Sequence, residues 1–295
     1  MNRVLTIQDL SCVGKCALTA ALPVISAMGV ECCALPTALL STHTAFRHVH
    51  FRDLTGEMRP IMDVWAQENL AFDVICTGYL GSVEQAQLVG EVIDRFRGPD
   101  TRVIVDPVLG DGGALYRGFD DAFVRAMREL IRRADVILPN ATEAALLLER
   151  PYAADPGPEA AQALLAGLVE LGPAMAVLTG VREGANRVGA AGLEAGRAEG
   201  CLYTGPLLPG SYFGTGDIFA AVLSGALARG ASLDEGLRLA VDFVAECIRC
   251  TLADEQRRFY GVSFEPALGM LTRWAGSRDV PDNDCAQNSR KGSQV

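Results

Sequence analysis

No stretch of this 295-residue sequence is apolar for long enough to cross a bilayer. The opening Met1-Asn2-Arg3, followed by Val4-Leu5-Thr6-Ile7, lacks the hydrophobic region of a secretion signal, so a cytoplasmic protein is expected. A surplus of basic charge is also missing. The formal net charge of −10 disfavours non-specific binding to nucleic acid or anionic membranes, so any phosphate site must be built locally. There is no Walker A loop, because Val13-Gly14-Lys15-Cys16 has neither the spacing nor the hydroxyl. A dinucleotide fingerprint is absent too, since Gly214-Thr215-Gly216 does not follow the first strand of a βαβ unit. The nine cysteines form no zinc ribbon and are read as reduced, mostly buried thiols. Cys32 and Cys33 with His43, His48 and His50 match no standard zinc spacing. Internal repeats and an interdomain linker are lacking as well, and the Pro-dense stretch 151–158 reads as a surface loop.

What is present is an ordinary globular composition, 49% apolar and 21% charged, with enough chain to bury a large core. Short β-rich runs alternate with amphipathic segments of helix length, the pattern of a mostly parallel sheet covered by helices on both faces. Strands are expected at Arg3–Gln8, Asp73–Thr77, Arg102–Asp106, Asp135–Leu138 and Ala174–Thr179. Helices are expected at Lys15–Met28, with a kink at Pro23, and at Val83–Arg97, Asp120–Arg133, Thr142–Leu148 and Glu159–Leu171. The glycine-rich stretch Asn186–Tyr203 reads as antiparallel edge strands, with long helices following at Gly216–Arg229 and Leu233–Leu252. One domain over 1–275 and a disordered polar tail over 276–295 complete the expectation.

The most informative segment is Gly210-Ser211-Tyr212-Phe213-Gly214-Thr215-Gly216-Asp217. Its glycines precede a helix whose N-terminus gathers backbone amides and partial positive charge, which suits an anionic oxygen. Asp217 cannot be a phosphate ligand there, because like charges repel. It reads as a base that takes a proton from an attacking hydroxyl, or more plainly as a helix-capping carboxylate.

Gly214-Thr215-Gly216-Asp217 resembles the anion-hole motif of the ribokinase superfamily, and the chain from Met1 to about Thr272 is similar to its vitamin-kinase branch, the pyridoxal and pyridoxamine kinases. Five further segments carry the resemblance: Ile7-Gln8, Ser41-Thr42-His43-Thr44, Thr77-Gly78-Tyr79-Leu80-Gly81-Ser82, Val105 to Asp111, and Leu138-Pro139-Asn140-Ala141-Thr142-Glu143. Ser211-Tyr212 departs from the Asp-Thr of sugar kinases, and Asp9-Leu10 departs from the Ser-His of pyridoxal kinases towards hydroxymethylpyrimidine kinases.

The resemblance implies a three-layer α/β/α fold with short antiparallel edge strands, and an ATP-dependent kinase that phosphorylates the hydroxymethyl group of a B6 vitamer. Alternatives are a hydroxymethylpyrimidine kinase and, in another class, a vitamin-binding protein without catalysis. The implied catalytic set is Asp217 with Gly214, Thr215 and Gly216. Asp9, Thr44 and Tyr79 are implied for the ring of the acceptor. Asp106, Asp111, Asn140, Thr179 and Gly180 are implied for the nucleotide, and Asp106, Asn140 and Glu143 for Mg²⁺. Packing or capping is the competing reading for Tyr79 and Asn140. Gly110 to Tyr116 is expected to be a flexible loop closing over the triphosphate. A homodimer is implied, and a K⁺ requirement is left open.

Overall fold

The computed structural model describes residues 1–278. Along the chain run β1 (Arg3–Ser11), α1 (Ala17–Ala27), β2 (Glu31–Leu40), β3 (Phe51–Asp53), α2 (Thr55–Gln67), β4 (Val74–Thr77) and α3 (Val83–Phe96). Then come β5 (Arg102–Val105), β6 (Gly110–Asp111), β7 (Ala114–Leu115), α4 (Asp121–Ile131), β8 (Val136–Ile137), α5 (Ala141–Leu148) and α6 (Pro158–Glu170). The last elements are β9 (Met175–Arg182), β10 (Arg187–Glu194), β11 (Cys201–Pro206), α7 (Thr215–Ala228), α8 (Leu233–Ala253), a 3₁₀ turn at Glu265–Ala267 and α9 (Leu268–Arg278).

Nine strands form one sheet in the order β11-β10-β9-β8-β5-β4-β1-β2-β3. The ladders from β2 through β9 are parallel, and β3, β10 and β11 add antiparallel edges. Alternate residues of the central strands feed two cores, because a strand turns successive side chains to opposite faces. Val4, Val74, Ile104, Val136 and Val177 join the core under α1, α7, α8 and α9. Leu5, Ile75, Val103, Ile137 and Leu178 join the core under α2 to α6. A strand covered on both faces must be apolar throughout, which is why these runs are readable in the sequence.

This topology fixes where a ligand goes. From β1 the chain passes to β2 on one side and to β4 on the other, so the strand order reverses between β1 and β4. Open α/β sheets bind ligands in the crevice beyond the carboxyl ends of strands at such a point. Asp9, Tyr79 and Asp106 lie at or just beyond the carboxyl ends of β1, β4 and β5.

Several expectations need correction. Gly110 to Tyr116 is a hairpin, with Gly110 paired to Leu115 and Asp111 to Ala114. Gly112 and Gly113 turn it at φ 59° and 84°, the two left-handed positions of a type I′ turn. Helix α2 was hidden by Gly56 and Pro60, although Met58 and Met62 one turn apart are fully buried. Helix α1 begins at Ala17 rather than at the expected Lys15 and carries Pro23 inside it. Residues 276–278 finish α9 rather than beginning a tail, and the rest of the expected tail lies outside the described residues. Among the described residues no helix is long and apolar enough to cross a membrane.

Candidate active site

The loop before α7 is shaped by backbone that only glycine tolerates. Gly214 caps the helix at φ 79°, and a Cβ there would stand 2.0 Å from the Lys15 carbonyl oxygen. Lys15 is held in turn by Glu265, its Nζ 2.7 Å from Oε2. The Tyr212 hydroxyl donates to the Pro209 carbonyl at 2.6 Å, closing the loop on itself. The first amides of α7, at Thr215, Gly216 and Asp217, have no acceptor within the helix, as at any helix start. Gly216 is exposed and Thr215 half-buried, so this end of the helix reaches solvent.

Asp217 is half-buried in that first turn. Burial pushes its carboxyl up to about 6, the backbone amide of Ala17 opposes this by donating to the carboxylate, and the charge of Asp9 adds to the rise. Asp9 is 7% exposed and accepts from the Ser11 hydroxyl at 2.9 Å. Burial raises its pKa despite that bond. Asp9 stands at an irregularity of the β1–β2 ladder, where Thr37 and Ala38 of β2 lie between the partners of Gln8 and Leu10. Such bulges re-aim side chains beside functional sites. Cys16 lies in the same field, its thiol pushed up to about 12 by burial and then by Asp217 and Asp9.

A second acidic group faces the first. Burial holds Asp106 well above the usual carboxylate range, followed by repulsion from Glu143 and Asp217, while the Val108 amide opposes. Glu143 is pushed up to about 7 by burial. Both of its oxygens are already engaged: Oε1 accepts from the Leu109 amide at 3.0 Å, and Oε2 from the Asn140 amide at 2.9 Å. The Asn140 side chain accepts from the Glu143 amide and donates to the Gly110 carbonyl, both at 3.0 Å. Asn140 and Glu143 therefore make a capping box that also anchors the β6–β7 hairpin. This leaves Asp106 the less encumbered of the metal candidates. Tyr116, just beyond the hairpin, is raised by burial and then by Glu143, Asp111, Asp106 and Asp217, so the hairpin overlooks this acidic group. Among the described residues no three carboxylate, thiol or imidazole groups form a ready metal cage.

The remaining expected residues divide. Tyr79 is half-buried, and its ring stacks on Phe119 at 6.0 Å, so packing accounts for part of its role. Thr44 is exposed. Thr179 donates its amide to the Pro139 carbonyl at 3.0 Å, beside Asn140. Gly180, at φ 77°, is the unpaired residue of a bulge between β9 and β10. Asp111 is exposed on the hairpin, where it accepts from the Gly112 amide.

Sequence reasoning missed the group around His43. Its Nδ1 accepts from the Ala45 amide at 3.1 Å, so the proton belongs on Nε2, which donates to the Tyr260 carbonyl at 2.9 Å. Phe46 and Phe213 lie 5.2 Å from the His43 ring, and Phe259 and Tyr260 close the group. These rings come from three distant segments and adjoin the Gly214 loop. Gln85, fully buried, was also missed: it ties the Gly81 amide to the Thr37 carbonyl and the Thr55 hydroxyl. The spacing Cys247-x-x-Cys250 was passed over as well. Both thiols are free, on α8, and burial raises both pKa values.

Comparison with known proteins identifies the family and the fold. The model of the family described as phosphomethylpyrimidine kinase matches residues 12–259. A pyridoxine/pyridoxal/pyridoxamine kinase of Bordetella avium is 30% identical over 285 residues, covering 92% of this chain and 93% of its own. A Bacteroides thetaiotaomicron protein, described as a candidate phosphomethylpyrimidine kinase and also crystallised with pyridoxal, is 40% identical. It superposes with TM-scores of 0.88 and, for the pyridoxal form, 0.86, with 92% of this chain and 93% and 95% of those chains covered. The pyridoxal kinase of Lactobacillus plantarum is 38% identical with a TM-score of 0.86, covering 94% of this chain and 99% of its own. With its ribokinase-like sheet and its Gly-Thr-Gly-Asp helix start, the chain belongs to the phosphomethylpyrimidine kinase family.

Proposed function

We propose that this chain transfers the γ-phosphoryl group of ATP to the hydroxymethyl oxygen of a B6 vitamer, with Asp217 as the base. The observation that carries the reading is the place of Asp217 in the first turn of α7, beside the glycine-shaped start of that helix, where burial pushes its carboxyl up to about 6. At that value the group is largely ionised near neutral pH, yet basic enough to accept a proton. The acceptor O–H proton passes to the Asp217 carboxylate as the oxygen bonds to phosphorus. The bond from phosphorus to the bridging oxygen breaks, and ADP departs with that electron pair. The α7 amides meet the charge on the transferring oxygens, and the hairpin at Gly110 to Leu115 excludes water.

Asp217, Asp106, Glu143 and Asp9 would repel a triphosphate unless cations intervene. The donor set fits Mg²⁺, which needs only one or two carboxylates beside water and phosphate oxygens. Asp106 would hold it directly, with Asn140 and Glu143 acting through water. The ion would neutralise charge developing on the bridging oxygens. Asp9 and Tyr79 frame the acceptor ring, Thr44 offers it a hydroxyl, and Thr179 and Gly180 flank the nucleotide.

Two of the relatives described above are named for pyridoxal or pyridoxine, and a third holds pyridoxal in its crystal. The family model and Asp9 favour a second reading, a hydroxymethylpyrimidine kinase. Single-turnover phosphorylation of pyridoxal, pyridoxamine, pyridoxine and hydroxymethylpyrimidine separates the two. Preference for the pyrimidine would overturn the B6 reading, and an active Asp217→Asn variant would overturn the role of the base.

A further inference from the structure

We propose that a cavity between α4 and α5 is a second ligand site, built for a small ring-bearing phosphate monoester. Its volume is about 460 Å³, and its walls include Val124, Arg125, Arg128, Thr142, Arg150 and Tyr152. Asp217, Asp106 and Asp9 are not among its walls, which come from α4, α5 and the residues just after α5, with Gly113 at the tip of the β6–β7 hairpin as the one wall shared with the site described above.

Three arginines, Arg125, Arg128 and Arg150, line this cavity in a chain whose net charge is −10. Arg128 is paired with Glu149, and Arg150 donates one N–H to the Ala163 carbonyl at 3.2 Å. Arg125 is exposed, and among the described residues no carboxylate lies within ion-pair distance of it. Asp121 and Glu149 also line the cavity, so its formal balance is three cations against two anions. Arginine forks match the oxygens of a phosphate, and their N–H groups beyond those already used remain available.

The polar floor is buried. Thr142 is 2% exposed and accepts from the Gly113 amide at 3.0 Å, but its own hydroxyl hydrogen has no acceptor among the described residues. An anion beside it supplies one. The opposite wall is apolar: the Tyr152 ring abuts Gly113, where a Cβ would lie 2.7 Å from Cδ1, and Val124 and Leu146 continue the surface. Inorganic phosphate is too small to fill a volume typical of drug-sized ligands, whereas a monoester with one ring places its phosphate on the arginines and its ring along Tyr152. This site does not depend on the acceptor chosen above.

The test is calorimetric titration of the full chain, saturated with MgADP, using phenyl phosphate and, separately, inorganic phosphate. The wild type is expected to bind phenyl phosphate in this cavity, and Arg125→Gln/Arg150→Gln to lose that binding by at least about tenfold, the worth of one charge-assisted hydrogen bond. Neither arginine belongs to the phosphoryl-transfer site, so retained turnover reports a folded variant. Should the double variant fail to fold, phenylglyoxal labelling of the wild type decides, with phenyl phosphate expected to protect the Arg125 and Arg150 peptides. Unchanged binding by a folded variant, absence of protection, or inorganic phosphate binding as tightly as phenyl phosphate would each overturn the proposal.

Discussion

The backbone amide of Ala17 favours the charged form of the Asp217 carboxylate, and Ala17 itself is held at a φ of +45°, in the left-handed region. Asp106 has a parallel arrangement, receiving the amide of Val108 at φ +41°. A side chain in that region costs about 1–2 kcal/mol, so the amide that favours each half-buried carboxylate belongs to a strained residue. The arrangement opposes burial, which alone would leave both acids more protonated.

Replacing Ala17 by glycine keeps the amide and removes the strained Cβ. Glycine's greater freedom in the unfolded chain offsets part of the gain, leaving a stabilisation of up to about 1 kcal/mol. Denaturant unfolding of A17G is expected to show a raised midpoint, with the acid limb of turnover in place. A lowered midpoint would show that the backbone at Ala17 is not strained.

Asp217→Asn removes the proposed proton acceptor while filling the same space. The expected outcome is a fall in turnover of about 10²–10⁴-fold with nucleotide affinity kept. The same change abolishes a buried charge, so thermal stability at pH 8 should rise. Loss of activity with loss of stability would mean that Asp217 serves the fold instead.

Asp9, Asp106, Glu143 and Asp217 are all raised, and Asp217 and Glu143 mark where the pH dependence falls. As the proposed base Asp217 acts only when ionised, so kcat/KM should fall as pH drops through about 6. Stability runs the other way. For a pKa raised by folding, the native state binds the extra proton, so the contribution is full below the unfolded values, 3.8 for Asp217 and 4.5 for Glu143. It is lost as pH rises through about 6 and about 7. Measured against wild type, D217N should show a flatter decline in unfolding free energy between those limits. An identical slope would place the shift elsewhere.

The parts of this design legible in the sequence are those written in side-chain type. Val4-Leu5-Thr6-Ile7 and Val103-Ile104-Val105 announce doubly covered strands, because a parallel sheet needs apolar residues on both faces. The acids at strand ends were legible through motif spacing. Helix α2 was not, since Gly56 and Pro60 mimic a loop, and its stability comes from Met58 and Met62 packing in the core. Nor were the amides of Ala17 and Val108, because a positive φ in a residue other than glycine is imposed by surrounding structure. Glu143 showed its charge in sequence but not that both its oxygens are engaged by backbone amides.

Gly214 is fixed by two independent constraints, its φ of 79° and the 2.0 Å that would separate a Cβ from the Lys15 oxygen. Gly214→Ala should therefore push the start of α7 away from Lys15 and misplace the amides aimed at phosphate. A loss in kcat/KM of about 5- to 30-fold follows from a displacement worth about 1–2 kcal/mol. Wild-type kinetics would show that the cradle lies elsewhere.

His43 links the acceptor side to the cradle without belonging to either. Its Nε2–H holds the Tyr260 carbonyl, and its ring lies against Phe213, the residue before Gly214. His43→Phe keeps the ring and deletes both polar contacts, leaving the Ala45 amide without its acceptor and the Tyr260 carbonyl without its donor. Each lost bond costs about 1 kcal/mol, enough to loosen the segment carrying Thr44. Because Asp217 and the α7 amides do not touch His43, the expected signature is a raised KM for the acceptor with the KM for ATP and the acid limb near 6 unmoved. A change confined to ATP would instead place this aromatic group on the nucleotide side.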